Sequence, residues 1–387
     1  MDTQEQSPFF SLPPEVRDAI YTYILPNAIH VFLREGKVAI STCMDPEIAG
    51  FLTGRERIPS EEELVGFGER SSQTVWARRL RSSWGPHWQC EEIAQRTTGH
   101  RNSGGGESVM ATLLVCRRMF LDISKVLVSD VVYHVTDLNT LDYLVQIPPT
   151  SEPQSSWYEA LTTDARLIKK LDLTLRLPLS FFQTLADHME RLASSIEMME
   201  VQQPSISASL SSAVDDSLLN VWIRVWPALA SRLRQLQRLH VWVDHDDTKS
   251  WSLVDERSLL SYIATWISRD RIHCLEGVTF NLPKLHPRHE NPGRHFTKDS
   301  PQPPPSIMIT RRLRQCHFPV ETIPGIYQVA DEPDFPVLFE LVDATADTDQ
   351  PMSLEEVEEM ERDMWQRGED PNEFLWDLAG PGARCGV

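Results

Sequence analysis

The chain has 387 residues, of which 41% are apolar and 24% charged, a composition typical of globular proteins and a length sufficient for roughly two or three hydrophobic cores. Its net charge is −19, of which 17 acidic residues and three arginines between residues 331 and 387 contribute −14, leaving −5 for the first 330 residues. Because contacts with phosphates need a concentrated basic surface, we expect no nucleic-acid partner.

The sequence shows no sign of secretion or of membrane insertion. The first six residues contain no basic or apolar segment, and no apolar run approaches the ~20 residues that cross a bilayer. Six scattered cysteines, at positions 43, 90, 116, 274, 316 and 385, do not resemble a disulfide framework. We therefore expect an intracellular protein, cytoplasmic or nuclear, with reduced thiols and no membrane partner.

The first predicted element is a helix within residues 12–25. Pro14 suits the first helical position, and Glu15 places negative charge at the positive end of the helix dipole. Pro26 ends the run, because a residue before proline is pushed out of the α region. Apolar side chains share one face of this helix, namely Val16, Ile20, Tyr23 and Ile24.

This segment, with its Leu-Pro-x-Glu-Val pattern, resembles the first helix of an F-box, which docks on the Skp1 adaptor of a ubiquitin ligase. The resemblance implies a Skp1-like adaptor as partner and a protein substrate of unknown identity held by the rest of the chain. The residues that it places against the adaptor are Leu12, Pro13, Val16, Ile20 and Ile24.

The resemblance extends, over roughly residues 9 to 285, to a large family of fungal F-box-like proteins of unknown function. It implies, in chain order, a hairpin, a Trp-Gly-Pro-x-Trp-x-Cys-Glu segment, a Cys-Arg helix, a strand and a short helix. In an ordinary F-box the Cys-Arg helix follows the first helix closely, whereas here about 90 residues intervene. The matching segments are Ile29 to Thr42, Trp84 to Glu91, Leu113 to Arg118, Val131 to Leu138 and Leu141 to Leu144.

Three later stretches alternate apolar and polar residues, which is typical of half-buried strands. They are Leu171 to Leu177, Leu239 to Val243 and Val278 to Leu282, and helical patterns follow the first two, at Phe181 to Met199 and Ser258 to Ser268. Strands alternating with helices predict a parallel sheet, open and curved, with helices on its convex side. The word Leu-x-x-Leu-x-Val-x-Val resembles the strand unit of leucine-rich repeats, although intervals of 68 and 39 residues make the array irregular.

No catalytic or phosphate-binding motif is found, so we predict no enzyme, no cofactor and no metal site. His87 and Cys90 are spaced like zinc ligands, and His100 and Cys116 could complete a set, but we favour a buried cysteine beside an ordinary surface histidine. Residues 283–306 carry seven prolines and three histidines, and this composition favours a disordered insertion.

The C-terminal region is predicted to be an appendage. Pro336 to Val342 can form a strand, and Ser353 with Glu356 forms the capping box of a helix. The apolar residues beyond residue 343 lie in short stripes among many acids, so we expect this tail to be mobile or loosely docked.

These observations predict an α/β protein with N-terminal F-box-like helices and an inserted β-hairpin, followed by an irregular leucine-rich-repeat-like α/β array. Its parts are residues 1–146, residues 157–342 and an acidic tail over residues 343–387 with a short helix. The expected function is a protein-interaction module, a substrate receptor of a Skp1-cullin-F-box ubiquitin ligase. The alternatives are a non-ligase scaffold with the first helix buried in its own core and, more distantly, an enzyme with a cleft site at the carboxyl ends of the strands.

Overall fold

The structure, a computed structural model, describes residues 7–43, 77, 80–96, 116–146, 167–198, 213–267, 272, 275–298, 300–314, 317–332, 334–340 and 352–374. The helices are α1 (Pro14–Ile24), α2 (Trp88–Arg96), α3 (Arg117–Asp130), α4 (Leu138–Gln146), α5 (Leu179–Met198), α6 (Ala213–Arg232), α7 (Glu256–Ile267) and α8 (Leu354–Arg367). The strands are β1 (Ala28–Arg34), β2 (Lys37–Thr42), β3 (Val132–Val135), β4 (Lys170–Leu177), β5 (Arg238–His245), β6 (Gly277–Pro283), β7 (Ile307–Arg312), β8 (His317–Ile323) and β9 (Ile326–Asp331).

Seven strands form one sheet in the order β2-β1-β3-β4-β5-β6-β7. β2 pairs antiparallel with β1 through a tight turn at Glu35 and Gly36, which both have positive φ, and the other neighbours are parallel. In the parallel part of the sheet, β3 lies beside β1, and each of β4–β7 lies beside the strand that precedes it in the sequence. The predicted α/β class is therefore confirmed, as are the hairpin and the three alternating strands.

One face of the sheet carries the main hydrophobic core. In β4 the leucines at alternate positions, 171, 173, 175 and 177, all enter this core, as a period of two requires. Trp222 and Trp226 of α6 are fully buried, and Trp222 meets Phe181 of α5 edge to face at 5.6 Å between ring centroids. Residues of α1 and of α3–α7 pack into the same core, so these helices cover this face.

The opposite face is covered beside β1 and β4 by the segment that leads into α2. Trp84, Cys90 and Ala94 form a second apolar cluster there with Ala28 and Cys43. This segment begins with a 3₁₀ helix, Gly85–His87, that lies directly on the sheet.

The sheet and its main core run across the division predicted between residues 146 and 157, because β3 pairs with β4. The predicted start of the Cys-Arg helix at Leu113 lies outside the described residues, but its continuation is α3.

Two expectations for the C-terminal half differ from the structure. The strand predicted over residues 336–342 is wrong, because Val337–Glu340 form a 3₁₀ helix. The insertion expected to be disordered is folded against its neighbours: His295 is buried and its Nε2 lies 3.1 Å from the carbonyl oxygens of both Ser252 and Val254. Neither the short apolar run nor the proline-rich composition indicates these contacts, because both are local properties of the sequence.

The acidic tail is docked along residues 352–374, contrary to the expectation of a loose appendage. The predicted capping box of α8 is present between Ser353 and Glu356. Val357 and Met364 of α8 are buried against Leu338. Glu361 is also buried, and it accepts a hydrogen bond of 2.8 Å from the backbone N–H of Leu338.

Candidate functional site

One face of α1 is exposed and apolar. Val16 is 43% exposed, Ile24 49% and Tyr23 92%. Pro13 is exposed beside them, while Leu12 and Ile20 are half-buried at the edge of the same stripe. Of the five residues predicted to contact an adaptor, Val16, Ile20 and Ile24 share one side of α1, and Tyr23 extends this surface. Leu12 and Pro13 immediately precede the helix. We call Pro13, Val16, Ile20, Tyr23 and Ile24 the α1 stripe.

The other side of α1 is fixed to the protein by α3. Arg17 is buried, its Nε donates to Asp122 of α3 at 3.1 Å, and its Nη1 donates to the carbonyl oxygen of Leu12 at 2.7 Å. Tyr21 is also buried, and burial together with the nearby Asp122 carboxylate raises its pKa to about 12. The Cys-Arg helix therefore supports the first helix despite the long sequence between them.

Four potential metal ligands meet on the sheet face opposite the main core. They are His30 of β1, Cys43 immediately after β2, His87 of the 3₁₀ helix and Cys90 of α2, and all four are buried. Their ligand atoms all lie within 4.8 Å of one another. We call these four residues the His-Cys cluster.

A third imidazole, that of His134 in β3, borders the His-Cys cluster. Its ring centroid lies 4.7 Å from that of His87 and 5.1 Å from that of His30. Burial lowers the pKa of both His30 and His134, so the two rings are neutral. The pKa of Cys90 is lowered because the Cys43 side chain hydrogen-bonds to its thiolate and the imidazoles of His30 and His87 lie beside it.

The sequence prediction of no metal site overlooked this convergence. Of the two residues that could complete a zinc set with His87 and Cys90 in the sequence, His100 lies outside the described residues and Cys116 belongs to a different site. Cys116 precedes α3, where its sulfur accepts a hydrogen bond from the backbone N–H of Met119 at 3.4 Å. The missing signal was the hairpin register, because His30 pairs with Ser41 and Cys43 lies two residues further on the same face.

A group of charges lies at the carboxyl ends of β5 and β7, where an enzyme site would be expected in an open α/β sheet. Asp244 is buried between Arg312 and Arg314, with distances of 3.1 and 2.9 Å to their guanidinium nitrogens. Burial alone would raise the pKa of Asp244, but the charges of Arg314 and Arg312 lower it below its usual range. Arg312 and Arg314 therefore serve as internal partners for an acidic group.

In comparisons with known proteins, a family model matches the N-terminal part of the chain. Residues 2–155 match the model of a domain of unknown function (DUF7730), and this range contains both the α1 stripe and the His-Cys cluster. No curated protein and no solved structure is detectably similar to the chain. Among the described residues, no helix has the length and apolar character needed to span a membrane.

Proposed function

We propose that this protein is a protein-interaction module that docks on a Skp1-like adaptor through the α1 stripe and acts as a substrate receptor of a ubiquitin ligase in the cytoplasm or nucleus. The single observation that carries the proposal is the two-sided character of α1. Arg17 and Tyr21 hold one side to the core, while Val16, Tyr23 and Ile24 present apolar groups to solvent. Exposed large apolar groups that are clustered on one helix are typical of a binding face.

This arrangement favours docking on an adaptor over the alternative of a scaffold in which α1 is buried in the core of the protein. A buried helix would hide Val16 and Ile24, and both are about half exposed. An enzyme draws less support, because the acid at the carboxyl end of β5 is neutralised by two arginines.

The substrate would bind to the sheet face that the main core does not use. Asp172, His240, Thr279 and Met308 are in register across β4–β7 on that face, and none of them is fully buried. The sequential order of parallel strands, with helices on the other face, supports the resemblance to leucine-rich repeats, whose open sheet face binds proteins.

The test is the affinity of the purified full chain for a purified Skp1-like adaptor. The double substitution Val16→Ala and Ile24→Ala should weaken binding at least about tenfold, because buried apolar anchors dominate such interfaces. Its melting temperature should stay unchanged, since both side chains are exposed and alanine favours the helix.

The matched control is Asp18→Ala with Thr22→Ala, which changes two exposed residues outside the stripe on the same helix. This control should bind as the original protein does. No binding by the original protein, or equal binding by both double variants, would remove the adaptor from the proposal.

A further inference from the structure

The His-Cys cluster consists of four buried side chains from two separate parts of the chain. His30 lies in β1, and Cys43 follows β2, where its backbone N–H donates to the carbonyl oxygen of Ala28 at 3.0 Å. His87 and Cys90 lie three residues apart across the junction of the 3₁₀ helix and α2, a spacing that places both side chains on one side of a helical turn. The hairpin and the α2 segment therefore meet at these four groups.

The separations in the cluster suit a tetrahedral ion. Zinc binds sulfur at about 2.3 Å and imidazole nitrogen at about 2.0 to 2.1 Å, so a tetrahedral angle puts the two donors about 3.6 Å apart. The Sγ of Cys43 and the Nδ1 of His87 are 3.6 Å apart. The remaining pairs lie within 4.8 Å, so small side-chain movements would bring all four donors to an ion.

The environment of His30 is a second, independent indication of a ligand. His30 is 0% exposed, and neither of its ring nitrogens has a hydrogen-bond partner of normal geometry. Leaving such a buried group unsatisfied is unfavourable, because its hydrogen bonds to water are lost without replacement. Coordination of a cation by one ring nitrogen would remove that cost.

We propose that His30, Cys43, His87 and Cys90 bind one zinc ion as a structural Cys2His2 centre. Two thiolates and two neutral imidazoles in a tetrahedral arrangement are a ligand set that selects zinc. Four protein ligands leave no open position for water or substrate, so the ion holds the α2 segment on the sheet and performs no reaction. The proposal is independent of adaptor binding, since none of the four residues belongs to the α1 stripe.

The first measurement is the metal content of the full chain purified without added metal or chelator. We expect about one zinc ion per chain. Removal of the ion by a chelator should lower the melting temperature, because binding to the folded state alone stabilises it. Addition of Co²⁺ to the stripped protein should produce the thiolate-to-cobalt charge-transfer band and the intense visible bands of tetrahedral cobalt.

Single substitutions identify the ligands. Cys43→Ser and Cys90→Ser should each lose the bound zinc and the thiolate-cobalt band. Cys116→Ser is the matched control, because Cys116 is a buried free cysteine that caps α3, and serine can take over the cap. This control should retain the full zinc content.

Two outcomes would overturn the proposal. One is that the original protein carries little zinc and, after reduction of any Cys43–Cys90 disulfide, shows no thiolate-cobalt band, which would mean that the cluster is metal-free. The other is zinc that persists in Cys43→Ser and Cys90→Ser alike. The measurements on the original protein decide the question even if a variant fails to fold.

Discussion

Gly85 allows the Trp84 to Glu91 segment to lie against the sheet. Its φ is +53°, a conformation that residues with a Cβ rarely adopt. A Cβ at this position would lie 3.1 Å from Cη2 of Trp242 and 3.4 Å from Cγ2 of Thr174. Both the backbone conformation and the close approach therefore require glycine, and the next residues carry two members of the His-Cys cluster.

Replacing Gly85 with alanine should destabilise the protein more than replacing Gly325. Gly325 has a φ of +81°, but a Cβ added there would have no atom within 4 Å. Gly325→Ala should therefore lower the free energy of unfolding only by the cost of the left-handed backbone conformation, about 1 to 2 kcal/mol. Gly85→Ala should cost about 1 to 3 kcal/mol in addition, because Trp242 would have to move. Urea unfolding of the two variants measures the difference, and equal losses would show that the segment can shift away from Trp242 freely.

At the scale of elements, α8 packs on the segments that follow β6 and β7. Its buried side joins the 3₁₀ helix Val337–Glu340, and ion pairs tie it to the folded insertion. Lys284 pairs with Glu358, and Arg362 pairs with Glu290 at 2.7 Å. The helix thus holds the folded insertion and the 3₁₀ helix Val337–Glu340 together.

Truncating the buried side chains of α8 should lower the stability of the protein. Val357→Ala with Met364→Ala should cost about 3 kcal/mol or more, because both side chains are buried and truncation leaves a cavity. Glu359→Ala with Gln366→Ala, two exposed positions on the same helix, should leave the melting temperature nearly unchanged. Thermal melts of the full chain compare the pairs. A double core variant that melts like its control would mean that α8 is only loosely docked.

Sequence reasoning succeeded where a single element carries its own periodic signal. The leucines of β4 alternate because one strand face is buried, and the capping box of α8 is local to four residues. It failed where the deciding partner is distant. The insertion is folded by contacts of His295 with the segment around Ser252, and the His-Cys cluster needs Cys43 beside His87. Local composition does not indicate either of these contacts between residues that are distant in the sequence.

At the scale of the whole molecule, buried histidines link stability to pH. Burial, with a contribution from Arg314, lowers the pKa of His245 to about 4, and burial together with His289 lowers that of His286 to about 4. In the unfolded chain both groups have a pKa near 6.5. Between these values the unfolded state therefore binds more protons than the folded state.

The free energy of unfolding should consequently decrease as the pH falls from about 6.5 towards 4. Melting temperatures measured in steps between pH 7 and pH 5 should decline. His286→Asn should flatten this decline, because asparagine can keep the cap that His286 supplies to the 3₁₀ helix Pro287–His289 without binding a proton. Melting temperatures that do not change with pH in the original protein would contradict the assigned shifts.

The order of the parallel strands also has a consequence for how the chain is made. A polypeptide emerging from the ribosome presents β1 before the other parallel strands. Each parallel strand that follows pairs with the parallel strand that emerged before it, since β3 pairs with β1 and each of β4–β7 pairs with its predecessor. No parallel strand of the described sheet has to wait for a later one to be inserted between it and its neighbour, so the sheet can extend in the direction of synthesis. α8 emerges after the parallel strands, and it packs on the segments that follow β6 and β7 once both strands are in place.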